Sequence, residues 1–476
     1  MADKAGAGQA QYRKMTQTPI PKLIVGLAVP TIISMMITAV YNTADTFFVS
    51  KLGTSATGAV GIVFSVMAII QAIGFTLGMG SGSLSSRLLG KKDQKQANII
   101  ASTAFFAALA VGILITAAGL SLLDPIMHLL GATDTILPYA RGYAQYIFFG
   151  APVMCASFVL NNLLRSQGRA VLAMAGIGTG GILNILFDPL FIFGFRLGIS
   201  GAAIATLISQ CISFSILLSM FLRGKSVLCV SIHSVSRKAR DYWLIVKTGF
   251  PSLCRQGLAS IATVALNVNA ALYGDAAVAA MSVVGRLFML VMSVMLGFGQ
   301  GFQPVVGYNY GASRFDRVRA AFAFALKVGV TLLTTLAVLL FVFAPALITL
   351  FTKSDQTVIE IGAFAARAQA VALPLQTLIT LSNMLFQSTG QSLWATLIAC
   401  ARQGIFFLPL IFILPGLFGL RGVQMTQPVA DVLSALLCIP FLALFYRRLR
   451  RLEQQARQDE PPRQTPEALA QATGEA

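Results

Sequence analysis

GMGSGSLSSRLLG (78–90) returns 221 residues later as GQGFQPVVGYNYG (299–311), with glycine at the first, third and last positions of both stretches. The same shift aligns Pro30 with Pro251 and Gly53 with Gly274, so the register holds without a gap over about sixty residues. It reappears further on. Asp134 meets Asp355, Gly198 meets Gly419, Gly201 meets Gly422, and LLRSQG (163–168) meets LFQSTG (385–390) after a one-residue slip. The chain is therefore built from two homologous halves.

Each half is a series of apolar runs. Of the 476 residues 56% are hydrophobic and 11% charged, where a soluble globular protein carries roughly 25% charged residues. The runs approach or exceed the ~20 residues that a helix needs to cross ~30 Å of hydrocarbon. Twelve spans are expected, at 22–49, 57–84, 97–123, 138–164, 170–195, 199–222, 242–272, 276–304, 318–351, 357–386, 391–415 and 422–446. This gives an all-α integral membrane protein with six helices per pseudo-repeat: an N-terminal tail (1–21), an N-lobe (22–222), a basic linker (223–241), a C-lobe (242–446) and a basic tail (447–476). Six crossings bring the second half into the membrane in the orientation of the first. Halves related in that way, by an axis along the membrane normal, commonly rock around a central site.

The net charge of +18 is a topological signal rather than a nucleic-acid footprint, because the cations lie in short connections. Arg87, Lys91, Lys92, Lys95, Arg165, Arg169, the linker Arg223–Lys247, Arg314, Arg317 and Arg319 fall on one side. The other side holds Lys51, Arg196, Lys353 and Arg421 among several aspartates. The positive-inside rule makes the first side, and both termini, cytoplasmic. Arg447, Arg448, Arg450 and Arg451 would anchor the last helix at anionic headgroups. The linker is expected to be amphipathic or loosely structured, and the polar tail beyond Glu453 to be disordered.

Several function classes find no support. The six cysteines have no paired spacing and are expected as free thiols. No cleavable signal peptide is apparent, so the first span is expected to direct its own insertion. Gly176, Gly178 and Gly181 spell GxGxxG inside a membrane span, not between a strand and a helix. Gly224, Lys225 and Ser226 echo the end of a P-loop, but its first glycine is replaced by Ser219, so ATP coupling is not expected. No Ser/His/Asp or HExxH arrangement appears, and neither enzymatic activity nor an organic cofactor is indicated.

The informative residues are the ionisable ones within spans, each costing ~2.5 to 3.5 kcal/mol at a helix centre on insertion scales. Asp45 lies six residues before Lys51 and Asp188 eight before Arg196, which places both roughly 9 to 12 Å below the outer boundary. Asn184 precedes Asp188 by one helical turn and shares its face, and Pro189 cannot donate to the carbonyl of Ile185. Two carboxylates, an amide and a freed carbonyl suit a Na⁺ ion, or a pair of acids that binds a proton. The alternative is structural, with Asp45 ending its helix near the interface and Asp188 paired with Arg196 or Arg286. In the second half Asp45 meets Leu266 and Asp188 meets the apolar stretch around Pro409, so the coupling chemistry is confined to the first half. Asp431 is expected to be a buried partner of a cation such as Arg402. Gly74, Gly78 and Gly82, with Gly297 and Gly301, are expected at close helix contacts.

AVPTIISMMITAVYNTADTFFVSKLG (28–53), SSRLLGKKD (85–93), NNLLRSQG (161–168), NILFDPLFIFGF (184–195) and GFGQGFQPVVGYNYGA (297–312) together resemble the multidrug and toxic compound extrusion (MATE) transporters, and within them the MepA-like bacterial branch. The likeness runs from about residue 20 to 450. It implies two bundles around a V-shaped cavity and export of amphipathic, often cationic drugs in exchange for H⁺ or Na⁺. It also implies an ion and proton network on Asp45, Asn184 and Asp188, with Asn161 and Thr206 as further members. Branches of the family with acids in the seventh and tenth helices are not matched, since Asn267, Asn269 and Asn383 stand there.

The expectation is an antiporter in a bacterial inner membrane, acting as a monomer on drug-like substrates, with Thr38, Tyr41, Asn161, Gln210 and Arg286 along the substrate cavity. A lipid-linked oligosaccharide flippase of the same superfamily is the nearest rival, and a non-transport membrane scaffold a more distant one. The first would want a strongly cationic cavity, which the paired acids oppose.

Overall fold

The computed structural model describes residues 2–351 and 355–458. Helices follow one another along the chain: α1 (Ala2–Gln17), α2 (Ile20–Ser50), α3 (Thr54–Gly90), α4 (Gln94–Ser121), the short α5 (Leu123–Leu129), α6 (Leu137–Ser166), α7 (Ala170–Pro189) and α8 (Gly198–Leu222). The second half comprises α9 (Ala239–Ala271), α10 (Asp275–Gly311), α11 (Phe315–Thr349), α12 (Gln356–Ala372), α13 (Leu375–Thr389), α14 (Ser392–Cys400), α15 (Leu408–Phe418) and α16 (Leu420–Gln458). Among the described residues, ten helical segments are long and apolar enough to cross a membrane, and the bent pair α12/α13 makes an eleventh. The twelfth crossing is α9, 33 residues long, whose Lys247 and Arg255 dilute its hydropathy. It is held against α3 and α14 by packing.

Three expected spans depart from a single straight helix. The segment 357–386 bends by 54° between α12 and α13, where Pro374 has no amide hydrogen to continue the ladder. The segment 391–415 widens into a π-helix over Ala401–Phe407. The segment 170–195 does so over Leu190–Gly194, directly after Pro189. Such wide turns accommodate a backbone group that an α-ladder cannot pair, and are frequent at functional sites.

α1 and the described end of α16 lie at one face, the termini face. Arg319 at the start of α11 pairs with Glu453 near the end of α16 at 2.8 Å, and Asn309 of α10 donates to the carbonyl of Met15 in α1 at 3.1 Å. The linker corrects an expectation, because it is tightly bound rather than loose. The Gln167 side-chain oxygen accepts from the amides of Val227 and Leu228, and Asn98, Ser102 and Thr103 of α4 accept from those of Cys229, Ser231 and Ser236. α16 continues as helix past Glu453 to Gln458 where disorder was expected. The rest of that tail and Lys353 lie outside the described residues.

The lobes meet at the termini face in backbone contact. Gly249 of α9 leaves no room for a Cβ against Thr76 of α3, and neither does Gly80 against the carbonyl of Ile245. The repeat mirrors this contact at Gly301 against Ala28 and Gly297 against Ile32, so α2 lies on α10 as α9 lies on α3. Gly74, Gly78 and Gly82 serve a different contact, facing Phe158 and Asn162 of α6 within their own lobe. Burial follows the same division. α3 is buried all round from Thr76 to Ser86 and α10 from Gly297 to Asn309, whereas only one side of each is buried toward the opposite face. The cavity is thus a V closed at the termini face and open at the other.

Candidate functional site

The acids of the first half converge. Asp45 stands five residues before the end of α2, half-buried, and its Oδ2 accepts a hydrogen bond of 3.1 Å from the Tyr143 hydroxyl of α6. Asp188 is completely buried near the end of α7. Its Oδ1 accepts from Asn184 Nδ2 at 3.3 Å, one turn earlier on the same face, and that nitrogen also lies 3.1 Å from Thr206 Oγ1 of α8. Tyr143 is itself completely buried beside Asp45. Four helices of one lobe, α2, α6, α7 and α8, each contribute to the cluster.

Three oxygens in it are buried and accept no hydrogen bond from the protein: Asp45 Oδ1, Asn184 Oδ1 and Asp188 Oδ2. An unpaired acceptor in a dry interior is costly, and more so when charged. No lysine or arginine forms an ion pair with either acid among the described residues, which leaves the structural alternative of an Asp188–Arg196 or Asp188–Arg286 pair unrealised. Hard oxygens in this arrangement fit Na⁺, and the same atoms fit a shared proton. Asp45 is half-buried and Asp188 completely buried, so the cluster runs from a partly exposed acid to a sealed one.

The other candidates fall elsewhere. Asn161 is buried, but it lies five residues from the termini-face end of α6, where its Nδ2 donates to the carbonyl of Ala173 at 2.9 Å. Ala173 is fifteen residues before Asp188 on α7, or roughly 22 Å along a helix. Asn161 therefore does not join the acid cluster. The repeat explains its position, because Asn383 of α13 donates to the carbonyl of Ala395 at 2.6 Å, and both residues lie 222 positions after their counterparts. The two asparagines clamp equivalent helix pairs.

Tyr41 is buried one turn before Asp45 and packs on Gly181. Thr38 is half-buried and returns its hydroxyl to the Ser34 carbonyl at 2.9 Å. Gln210 is half-buried one turn beyond Thr206, and Arg286 is exposed on α10. The glycines of the apparent GxGxxG are packing positions: Gly176 meets Leu217 of α8, while Gly178 and Gly181 meet Ile37 and Tyr41 of α2.

Tyr143 was not anticipated, since a tyrosine in an apolar run is unremarkable in sequence. Its depth was the available signal. It lies six residues into α6, about 9 Å from that helix's start, the depth already assigned to Asp45 and Asp188.

In the C-lobe the chemistry differs. Asp431 of α16 is buried and pairs with Arg402 Nε at 2.9 Å, with Gln427 donating to the same oxygen at 2.8 Å. Gln427 occupies the repeat position of Thr206. The acid expected to have a cationic partner does have one.

The family model MatE matches this chain twice, at residues 30–190 and 251–413, once in each half. The multidrug export protein MepA of Staphylococcus saprophyticus is 28% identical over 423 residues, covering 89% of this chain and 93% of that protein. MepA of Staphylococcus aureus strain MRSA252 is 28% identical over 434 residues, covering 91% and 96%. Among solved structures, a MATE protein in complex with MaL6 superposes with a TM-score of 0.88 at 27% identity, covering 93% of this chain and 99% of that one. An outward-facing multidrug resistance MATE transporter gives 0.87 at 27% identity, with coverage of 92% and 98%.

Proposed function

The chain belongs to the MatE family, and from that premise we propose that it is a multidrug efflux antiporter that exchanges amphipathic, often cationic compounds for H⁺ or Na⁺. The observation that carries the proposal is the set of three buried, unpartnered oxygens on Asp45, Asn184 and Asp188. An inbound cation offsets their desolvation, and a cationic drug competes for the same negative potential.

The termini face is assigned to the cytoplasm by its cations, which makes the V open to the outside. In that state the ion enters at half-exposed Asp45 and settles against Asp188. Inward movement of one charge supplies about 2.3 kcal/mol per 100 mV of membrane potential, enough for more than a tenfold drug gradient. α2 connects the ion to the lobes, because its outer part carries Asp45 while its inner part lies in the Gly297/Gly301 notch of α10. Movement of α2 at the site is thereby felt at the seam. Thr38, Tyr41 and Gln210 border the drug path in the N-lobe, and exposed Arg286 faces it from the C-lobe.

Dye efflux from vesicles under separately imposed Na⁺ and H⁺ gradients tests this reading. One gradient should drive export, and Asp45→Asn should reach the membrane in normal amounts without responding to it. Export that follows neither gradient, or an unaltered response in Asp45→Asn, would sink the antiport reading.

A further inference from the structure

The N-terminal helix α1 lies across the closed seam and is bonded to both lobes. On the N-lobe side, Gln11 Nε2 donates to the carbonyl of Gln167 at 2.6 Å, and the Lys92 ammonium sits 4.8 Å from the Tyr12 ring. Gly168, in the left-handed region at φ +74°, packs against the side chains of Met15 and Gln11. This anchor is rigid, because the Gln167 side chain is itself fixed by the linker amides of Val227 and Leu228 and by the Ser226 hydroxyl at 2.9 Å.

On the C-lobe side, Asn309 Nδ2 donates to the carbonyls of Met15 at 3.1 Å and Val305 at 2.8 Å, while its Oδ1 accepts from Arg317 Nε at 2.9 Å. Arg317 also donates to the carbonyl of Thr18. Met15 is completely buried between these anchors.

Gln11 and Met15 are one helical turn apart, roughly 6 Å. Two anchors that close, one on each lobe, cannot both survive a separation of the lobes at this face. We propose that α1 is a strap that holds the termini face shut and must let go of one lobe each time that face opens. This rests on the two-lobe alternating-access reading and adds to it a segment outside the membrane spans that sets the balance between the two states. The balance is shifted toward the outward-open form by whatever the strap contributes, since its contacts to both lobes exist only when the seam is closed.

The test uses the full chain with its six cysteines replaced by serine and efflux retained, carrying spin labels at exposed positions 95 and 316, one on each lobe. Electron–electron distance distributions are recorded with and without the driving ion and drug. Deleting residues 2–17 should raise the ratio of open to closed termini face by roughly tenfold, which corresponds to about 1.4 kcal/mol. The double variant Gln11→Ala/Tyr12→Ala should raise it by a smaller factor. An unchanged ratio in a deletion variant that melts at the unmodified temperature would overturn the strap. If the deletion does not fold, an unchanged ratio in the double variant overturns it equally. An unmodified chain with a single distance population under every condition would instead overturn alternating access, so the two failures are distinguishable.

Discussion

The N-lobe and the C-lobe share a framework and treat their buried acids in opposite ways. In the C-lobe, Asp431 is closed off by Arg402 and Gln427. In the N-lobe, Asp45 and Asp188 receive a tyrosine and an asparagine, neither of which carries charge, and one oxygen of each acid accepts no hydrogen bond from the protein. A buried acid with an internal cation is a finished structural element. A buried pair without one still has affinity for a mobile cation. The difference arises at a handful of positions: Leu266 for Asp45, Gln427 for Thr206, and the apolar stretch around Pro409 for Asp188.

The sharpest way to break this comparison is to neutralise one acid in each lobe. Asp188→Asn should lower gradient-driven efflux to that of empty vesicles while leaving the melting temperature unchanged or higher, because it removes an uncompensated buried charge. Asp431→Asn should do the reverse, keeping efflux near the unmodified rate but costing about 3 to 5 kcal/mol of stability by stranding Arg402. Efflux lost in both variants would mean that the lobes are not specialised. A second variant sharpens the point: replacing the C-lobe pair together, as Arg402→Met/Asp431→Leu, should be neutral or stabilising by about 1 to 4 kcal/mol. A strong loss of coupling in that double variant would give the C-lobe pair a role in transport.

Smaller effects are expected around the site. Tyr143→Phe removes one hydrogen bond to Asp45, worth about 0.5 to 1.5 kcal/mol, and should shift the ion concentration for half-maximal efflux by roughly two- to tenfold. No shift would place Tyr143 outside the ion's environment. Smallest are the clamps. Asn161→Ala should cost about 1 kcal/mol in stability and Asn383→Ala somewhat more, since Asn383 Oδ1 also accepts from Arg255 at 3.3 Å, with ion dependence unaltered in both. Loss of coupling in the Asn161 variant alone would return that residue to the N-lobe site.

Much of this was legible in the chain. The apolar runs, the repeated glycines and the asymmetry of loop charge follow from the membrane's intolerance of unpaired polar groups and from close helix contact, and both leave marks in composition and spacing. Asp45, Asn184 and Asp188 stood out for the same reason. Tyr143 did not, because a tyrosine costs little in an apolar helix and only its depth connects it to the acids. Asn161 was placed by likeness to a family, although the repeat itself carried the contrary sign: Asn383 preserves it in the lobe that lacks the acids, as a framework residue should be preserved.

The seam was the least legible part. The Arg165 guanidinium is buried against Gln300, and Gln303 donates to both Ser83 and Gln387. These pairings join residues more than eighty positions apart, and nothing local distinguishes them from ordinary polar helix ends. The bound linker was hidden likewise, because its partners Asn98, Ser102 and Thr103 form a polar edge on an otherwise apolar helix.

The central claim is that the mobile ion and the drug compete through the uncompensated acids of the N-lobe. It is tested most directly by the affinity of a cationic dye for the purified protein, titrated with the driving ion in the unmodified chain and in Asp188→Asn. The account predicts that the ion weakens dye binding in the unmodified chain and leaves it unchanged in the variant. An equal ion dependence in both would contradict it.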